Sequence, residues 1–366
     1  MACTYEDFLS MRVLMITGSY PPMKCGVGSY TKKLATVIAE CYKVEVTVLT
    51  DKRASQASEE NGVTVVPIMN GWQLTEFFKI VQLVKHLKPD VVHIQYPTQG
   101  YLDRLSTRFL PLLIHFLGAP CVQTWHEPIL RVSGVWLSIG ADALVIVKEE
   151  LMAHIPWLTR IAIFSAKPFW VPCASLLPAI VLQESERLEI RNRYVSNDEL
   201  LLVYYGFVAP LKGVETLFEI TAQTGAKLLM VCDFQSDDIY HQLLLDLIVS
   251  MGIETKVNIV GFLPDDQLVS VLAASDAVVL PFKSGARDWN TTVASASAQG
   301  VFVLTTSFIC NGYNKEQNIY YAKPGNTEEM VLAIKKYAGH YIPCRSSMSE
   351  WESIADEHVR IYKGVI

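Results

Sequence analysis

The sequence predicts an α/β protein with two Rossmann-like, doubly wound domains that face a central cleft. Short apolar runs without alternation recur between amphipathic stretches along the 366 residues. The same rhythm starts again after a proline-rich interruption at residues 165–185. Continuous apolar runs are typical of strands covered on both faces, and strands that alternate with helices indicate parallel sheets. A chain of this length also exceeds one ordinary core.

The first domain is placed at residues 11–175, the second at 176–345 and a last segment at 346–366. In the first domain, strands are predicted at residues 12–17, 44–49, 63–68, 91–95, 121–124 and 143–147, with helices at 29–40, 74–87 and 105–116. In the second, strands are predicted at 200–204, 227–231, 257–260, 277–280 and 301–304, with a helix at 290–299 that closes on Gly300. Apolar residues at helical spacing predict a last amphipathic helix at 349–362.

Composition indicates a globular chain, and the charge distribution argues against a protein that binds a long nucleic acid. With 51% hydrophobic and 19% charged residues the chain is globular. The net charge of −6 divides into +2 for residues 1–175 and −8 for the remainder. An acidic second half argues against a long nucleic-acid groove, which needs clustered Lys and Arg, but it leaves room for a single nucleotide.

Cysteine usage and hydropathy predict a cytoplasmic protein that is soluble or peripheral to a membrane. The eight cysteines are scattered without metal-binding spacing, so we expect reduced thiols and no metal site. Residues 1–10 carry Glu6 and Asp7 and do not resemble a signal peptide. The basic helix at 74–87 is either a contact to an anionic membrane or a solvated face.

Three stretches at predicted strand ends carry candidate chemistry. Gly26 and Gly28 precede a helix, as in a phosphate-binding loop, although a dehydrogenase would have its glycines directly after the strand. Lys212 begins the helix after a strand, where an ammonium can balance a diphosphate, or it is a surface lysine. His126 ends another strand and is either a donor of a hydrogen bond to a substrate oxygen or a structural histidine.

Taken together, these stretches resemble a family 4 glycosyltransferase of the GT-B fold over almost the whole chain. The resemblance rests on Pro21, Pro22, Gly26 and Gly28, on residues 89–93, on Thr124 and His126, on Gly206, Lys212 and Gly213, on Val257 and Gly261, on residues 275–281 and on the helix before Gly300. It implies an acceptor domain first, a domain for a nucleoside diphosphate sugar second, and a last helix that packs back on the first. It also implies retention of anomeric configuration without metal or other cofactor.

The resemblance further assigns roles to residues. His126, Lys212 and Arg287 are the predicted catalytic residues. The predicted donor-binding residues are Gly26, Gly28, Gly206, Phe207, Lys212, Phe262, Leu263, Arg287, Asp288, Trp289, Asn290, Thr291, Thr292 and Ser295. Phe262 and Leu263 are expected by the base, and backbone N–H groups of residues 287–292 by the sugar and phosphates. Tyr96, Gln99 and Tyr101 either stack on an acceptor sugar or fill a loop.

The chain departs from the family pattern at three of these positions. Phe207 stands where the family usually has Arg, and Arg287 and Ser295 stand where it usually has Glu. We hypothesise that Arg287 supplies the diphosphate charge missing at position 207, and that Ser295 offers the ribose a weaker hydrogen bond. The sequence thus favours a retaining glycosyltransferase acting on a glycan or glycolipid in polysaccharide or envelope biosynthesis. The alternatives are a non-catalytic nucleotide-sugar binder and a nucleotide-sugar epimerase or dehydrogenase.

Overall fold

The architecture comes from a computed structural model of the chain. The structure describes residues 11–55, 61–127, 129, 134–147, 155–164, 166–196, 198–235, 237–286, 290–344 and 348–366. The chain forms two compact units, which we name unit 1 (Met1–Cys173 with Ser349–Ile366) and unit 2 (Ala174–Met348). In the described part of the chain, no helix combines the length and apolar character needed to cross a membrane.

Unit 1 is a parallel sheet with helices. Its elements are β1 (Arg12–Ile16), α1 (Gly26–Tyr42), β2 (Glu45–Asp51), β3 (Val63–Met69), α2 (Phe77–Leu87), β4 (Val91–Tyr96), α3 (Leu110–Phe116), β5 (Cys121–Trp125), α4 (Gly134–Ser138), β6 (Ala143–Ile146), α5 (Trp157–Phe164), β7 (Pro168–Trp170) and α12 (Met348–Val365). The strand order is β3-β2-β1-β4-β5-β6-β7. Every neighbouring pair is parallel, so the ends of β1, β4 and β5 share one edge of the sheet.

Helix α12 belongs to unit 1 although it ends the sequence. Its amphipathic pattern buries one face completely, and Trp351 on that face lies against Tyr30 of α1 with ring centroids 5.2 Å apart. The Tyr42 hydroxyl donates to Asp356 at 3.3 Å. The helix therefore joins the core of unit 1 through side chains distant in sequence.

Unit 2 repeats the same plan with one difference at its edge. Its elements are α6 (Glu184–Arg191), β8 (Leu201–Tyr205), α7 (Val214–Thr224), β9 (Lys227–Val231), α8 (Ile239–Ser250), β10 (Val257–Ile259), α9 (Asp265–Ala274), β11 (Ala277–Leu280), α10 (Thr291–Ala298), β12 (Val303–Thr306), β13 (Gly312–Asn314), β14 (Ile319–Ala322) and α11 (Thr327–Tyr337). The order is β10-β9-β8-β11-β12-β14-β13, and β13 runs antiparallel.

A buried ionic cluster ties α6 to this second sheet. Asp276, just before β11, accepts the N–H of Leu201 at 2.6 Å and contacts Arg191 at 3.0 Å and Arg187 at 3.7 Å. We name Asp276, Arg187 and Arg191 the Asp276 cluster. A buried charge is tolerated only when it is paired and hydrogen-bonded, and the two arginines and the N–H of Leu201 supply that pairing for Asp276.

The predicted α/β class and parallel sheets are confirmed. The apolar runs form strands within a few residues of the predicted bounds, and the predicted last helix is α12. Three strands were not predicted, namely β7, β13 and β14. Helix α1 starts at Gly26, before the predicted start at residue 29, so the glycine pair lies in its first turn.

Candidate functional site

The two glycines that open α1 have different surroundings. A Cβ at Gly26 would meet no atom within 4 Å, whereas one at Gly28 would lie 2.9 Å from the carbonyl oxygen of Ser19. The Cys25 side chain makes no capping hydrogen bond, and no acidic residue lies in the first turn. N–H groups there are suited to an anion. Gly28 thus has a packing role, and the prediction of a phosphate contact is favoured for Gly26.

Asp51, the acid that a dehydrogenase would use for a ribose, is engaged inside unit 1. It is 2% exposed, and its Oδ1 accepts from the Arg53 side chain at 2.8 Å and from the Arg53 backbone at 3.0 Å. Arg53 also donates to the carbonyl of Gly100 at 3.1 Å. The carboxylate therefore fastens the loop after β2 to the loop after β4, which argues against the dehydrogenase alternative.

His126 follows β5 and lies at the end of a buried polar row. Its Nε2 lies 2.8 Å from Oε1 of Gln95, and its ring meets Tyr30 edge to face at 4.7 Å. Burial, together with a smaller contribution from His358, lowers the pKa of His126 to about 3. The ring is therefore neutral near pH 7, and its Nε2 faces Gln95. The donation of a hydrogen bond from His126 to a substrate oxygen stays a prediction.

The rest of the row connects His126 with α12. His93 contacts the Tyr362 hydroxyl through Nδ1 at 2.6 Å and the Thr124 hydroxyl through Nε2 at 2.7 Å. The Gln95 amide nitrogen lies 3.2 Å from the same Nε2. We name Tyr362, His93, Thr124, Gln95 and His126 the histidine row. Gln95 was missed by the sequence reasoning, although polar residues at 93 and 95 inside an apolar strand were the available signal.

Two of the three predicted acceptor residues are core aromatics. The rings of Tyr96 and Tyr101 are 6% and 2% exposed and stack on each other with centroids 5.9 Å apart. The Tyr101 hydroxyl donates to the carbonyl of Ile16 at 3.2 Å. The alternative of loop filler therefore describes both tyrosines, and a sugar-stacking role is wrong for them in this conformation. Gln99 is exposed and stays a predicted acceptor residue.

In unit 2, the loop after β8 brings Lys212 to the end of the sheet. Gly206 has φ 119° and leads out of the strand, and a short helical turn ends at Lys212. Gly213 follows with φ 69°, and a Cβ there would lie 2.1 Å from the carbonyl oxygen of Pro281. Only glycine fits this position. The Lys212 ammonium lies 4.7 Å from the ring centroid of Phe282.

Phe207 and Phe262 form an exposed aromatic pair beside this turn. The two side chains are 36% and 43% exposed, and their ring centroids lie 5.8 Å apart at an interplanar angle of 64°. Gly261, with φ 75°, turns the chain before Phe262, while Leu263 packs against the core. Exposed ring faces are suited to stacking on a flat heterocycle. Phe207, which was noted as the residue replacing an Arg, thus has an aromatic partner.

The start of α10 differs from the prediction. The Asn290 side chain caps its own helix, because its oxygen accepts from the N–H groups of Thr292 at 3.0 Å and Val293 at 3.2 Å. The N–H of Thr292 is therefore already used, and its expected role toward a phosphate is wrong in this conformation. Tyr205 donates to the carbonyl of Thr292. The N–H of Thr291 and the side chains of Asn290, Thr291 and Thr292 stay predicted donor contacts.

Ser295 is structural in this conformation. The side chain is 2% exposed, and its hydroxyl accepts from the N–H of Leu176 at 3.1 Å and contacts the Ser175 hydroxyl at 3.2 Å. A ribose contact at Ser295 is therefore wrong here, since the hydroxyl holds the chain at residues 175–176. Predicted site residues Arg287, Asp288 and Trp289 lie outside the described residues, and so does the charge-exchange hypothesis for Arg287.

Comparisons with known proteins match one glycosyltransferase family model to each of the two units. Residues 25–155 match the family model described as Glycosyltransferase Family 4, and residues 199–339 match the model described as Glycosyl transferases group 1. An uncharacterized glycosyltransferase of Methanocaldococcus jannaschii is 25% identical over 96% of this chain and 98% of its own length.

Solved structures of GT-B glycosyltransferases have the same fold. A sucrose-phosphate synthase from Thermosynechococcus elongatus superposes with a TM-score of 0.73 at 15% identity over 97% of this chain and 98% of its own. HepE of Anabaena, solved in complex with UDP-glucose, superposes with a TM-score of 0.69 at 15% identity over the same shares. The chain therefore belongs to the family 4-like glycosyltransferases and is a transferase of the GT-B fold.

Proposed function

We propose that the protein is a retaining glycosyltransferase that moves a sugar from a nucleoside diphosphate sugar to a hydroxyl of a glycan or glycolipid. Unit 2 binds the donor in this proposal, and unit 1 binds the acceptor. The single observation that carries it is the position of Lys212 in the loop at the carboxyl end of β8, over the ring of Phe282; the same loop also carries Phe207, which pairs with Phe262. A cation and an exposed aromatic ring on one loop are suited to a diphosphate joined to a base.

The chemistry follows from where charge develops. When the glycosidic bond to the diphosphate breaks, negative charge grows on the departing oxygens. A positioned ammonium at Lys212 stabilises that charge more in the transition state than in the ground state. The stiff turn at Gly213 supports this role, because it fixes the backbone from which the lysine extends. Catalysis in this proposal needs positioned charge and no metal ion.

The nature of the donor is supported by a structural relative. HepE of Anabaena, which has the same fold, is described in complex with UDP-glucose. By analogy, a nucleoside diphosphate sugar is the donor class that we propose for this chain. The family resemblance is the basis for proposing retention of anomeric configuration and a role in polysaccharide or envelope assembly. Cytoplasmic location, with the exposed Phe78 of α2 against a membrane, is a further part of the proposal.

A donor-binding experiment tests the role of Lys212. Titration calorimetry with UDP, GDP and ADP identifies the preferred base, and Lys212→Met should weaken that nucleotide about tenfold or more, as for the loss of a charged hydrogen bond. Lys283→Met is the matched control, because this lysine lies in the loop after β11 but pairs with Glu215 at 3.0 Å. It should change affinity by less than about twofold. Equal effects of the two variants would contradict the proposal.

A turnover experiment tests catalysis. Proton NMR of the preferred donor with the protein should show slow hydrolysis or transfer, with the first-formed product keeping the anomeric configuration of the donor and with turnover unchanged by EDTA. An inverted product would overturn retention, and loss of turnover in EDTA would overturn metal independence.

A second candidate is a nucleotide-sugar-binding protein without turnover. The observation that favours it is Phe207, an apolar side chain where the family usually has a cation, together with the burial of Ser295. Tight nucleotide binding without hydrolysis or transfer, tested with a panel of glycan and lipid-linked acceptors, would favour this candidate over the enzyme.

A further inference from the structure

The histidine row crosses unit 1 from α12 to the end of β5. Its five side chains are buried, with His93, Gln95, Thr124 and Tyr362 at 0% and His126 at 7% exposure. Residues 93 and 95 of β4 and residue 124 of β5 lie on one face of the sheet, because side chains alternate along a strand. His93 contacts Tyr362, Thr124 and Gln95, and Gln95 contacts His126, so the state of one ring constrains the other.

The direction of the Gln95 amide decides the state of His126. Only the amide nitrogen carries hydrogens, and it lies 3.2 Å and 3.4 Å from the two ring nitrogens of His93. Both ring nitrogens already have a hydrogen-bond partner: Nε2 lies 2.7 Å from the Thr124 hydroxyl, and Nδ1 lies 2.6 Å from the Tyr362 hydroxyl. The amide nitrogen therefore meets the electron-rich face of His93. A turned amide would present its oxygen to that face, which is unfavourable.

The amide oxygen then faces His126. Because a carbonyl oxygen only accepts, Nε2 of His126 must carry the hydrogen across the 2.8 Å contact. In a neutral ring the other nitrogen, Nδ1, keeps its lone pair. No hydrogen-bond partner of Nδ1 is present among the residues that the structure describes.

The surroundings keep the ring neutral. Tyr30 of α1 covers His126 edge to face, and His358 of α12 lies on the same side of the sheet, 5.5 Å from His93 by ring centroids. His358 donates its Nδ1 hydrogen to the carbonyl of Ile354 at 2.8 Å. Burial lowers the pKa of His358 to about 4 as well, so a second proton in this core is disfavoured.

We propose that Gln95 is a positioning residue that holds His126 as the Nε2–H tautomer, so that Nδ1 of His126 accepts a hydrogen bond from a sugar hydroxyl. The sugar must then offer a hydroxyl as donor, and a deoxy or methoxy sugar at that place loses the contact. This inference rests on the proposed function and on the catalytic role that the family resemblance predicts for His126. The geometry of the row, however, is a property of unit 1 alone.

The tautomer is measured directly by long-range proton–nitrogen NMR of the full chain labelled with nitrogen-15 histidine. The signals of His126 are those that disappear in His126→Asn. At neutral pH they should show a protonated Nε2 and an unprotonated Nδ1. Gln95→Met should abolish this preference. A protonated Nδ1 in the wild type, or an unchanged spectrum in Gln95→Met, would overturn the proposal.

Gln123→Met is the matched control. Gln123 is equally buried in β5 but lies on the other face, where its oxygen accepts from Nε1 of Trp125 at 2.6 Å. It should leave the His126 signals unchanged, so a loss of tautomer seen in both variants would assign the effect to general loosening of the sheet and contradict the proposal.

Turnover separates this inference from the proposed function. Gln95→Met should lower kcat about tenfold with the full donor, as for one lost hydrogen bond in the transition state, while KM for the donor stays within about twofold. A wild-type chain without turnover but with the Nε2–H tautomer would support the role of Gln95 and contradict the transferase proposal, whereas normal kcat in Gln95→Met would contradict the role of Gln95.

Discussion

The two units build nearly the same sheet but fasten it to its covering helix by different means. In unit 1 the sheet meets α12 through the neutral histidine row, and in unit 2 it meets α6 through the Asp276 cluster, whose members are ionic. Both sets of groups are buried, and both link residues distant in sequence. The common strand order therefore does not dictate the chemistry that closes each layer.

This difference predicts which condition harms which unit. A buried neutral histidine is destabilised when it gains a proton, so the stability of the histidine row depends on pH. A buried ion pair destabilises the fold when one partner is removed, because the other charge then stays buried without compensation. The two units should consequently respond to separate perturbations.

A fall in pH should give the largest difference in stability between the two units. The pKa of His126 is lowered to about 3 and that of His358 to about 4, against 6.5 for an ordinary histidine. The unfolded chain therefore binds more protons below pH 6.5, and the stability contributed by these rings is present above that value and is lost as pH falls toward the folded pKa. At pH 5 the two histidines should remove about 4 kcal/mol from unit 1.

Hydrogen exchange with mass spectrometry at pH 7 and pH 5, corrected for intrinsic rates, would measure this loss. Peptides from β4, β5 and α12 should lose protection before peptides from β8 and β11. Equal loss in both units would mean that His126 and His358 do not control acid stability.

Asp276→Asn should give the next largest effect, this time in unit 2. The substitution leaves Arg191 buried without its carboxylate, at a cost of about 3 kcal/mol, while Arg187 keeps its contact with the Tyr341 ring. Protection should fall in α6 and β11 and stay unchanged in unit 1. The control is Asp265→Asn at the exposed start of α9, which should cost less than about 1 kcal/mol. Comparable results for the two aspartates would show that the cluster contributes little.

Substitutions of the glycines that follow the first strand of each sheet should change stability least. Gly213→Ala introduces a Cβ 2.1 Å from a carbonyl oxygen at φ 69° and should cost about 2 kcal/mol or more. Gly28→Ala, with 2.9 Å to the Ser19 oxygen, should cost about 1 kcal/mol. Gly26→Ala should not lower stability. Thermal unfolding of the three variants checks this order, and a reversed order would contradict the packing role of Gly28 and Gly213.

The sequence was sufficient for the sheets wherever an apolar run was covered on both faces. It failed at the edges, where that rule does not hold. Strand β7 contains Pro168 and lies at the end of its sheet, where a missing N–H is tolerated. Strand β13 has only half-buried residues. Helix α1 was started too late because glycine has low helix propensity, yet Gly28 is needed inside the helix for close packing on Ser19.

The candidate site was predictable by position and not by contact. Strand ends indicated His126 and Lys212 as candidates, since ligands of such sheets lie beyond the carboxyl ends of strands, and the structure has both residues in loops that follow β5 and β8. Which hydroxyl or amide each residue meets depends on partners far along the chain, as with His93 and Tyr362, which are 269 positions apart. The same holds for Ser295, whose partner Ser175 comes from the start of unit 2.

The split of unit 1 along the sequence also affects the order of events during translation. Unit 2 is continuous from Ala174 to Met348, whereas unit 1 needs residues 349–366 to complete its core. While the ribosome is still making the last helix, the sheet that emerged first lacks Trp351 and Tyr362, and His93 lacks its partner. The domain synthesised second is thus the first that can finish folding, and the nascent first domain must stay unaggregated until residues 349–366 have been made.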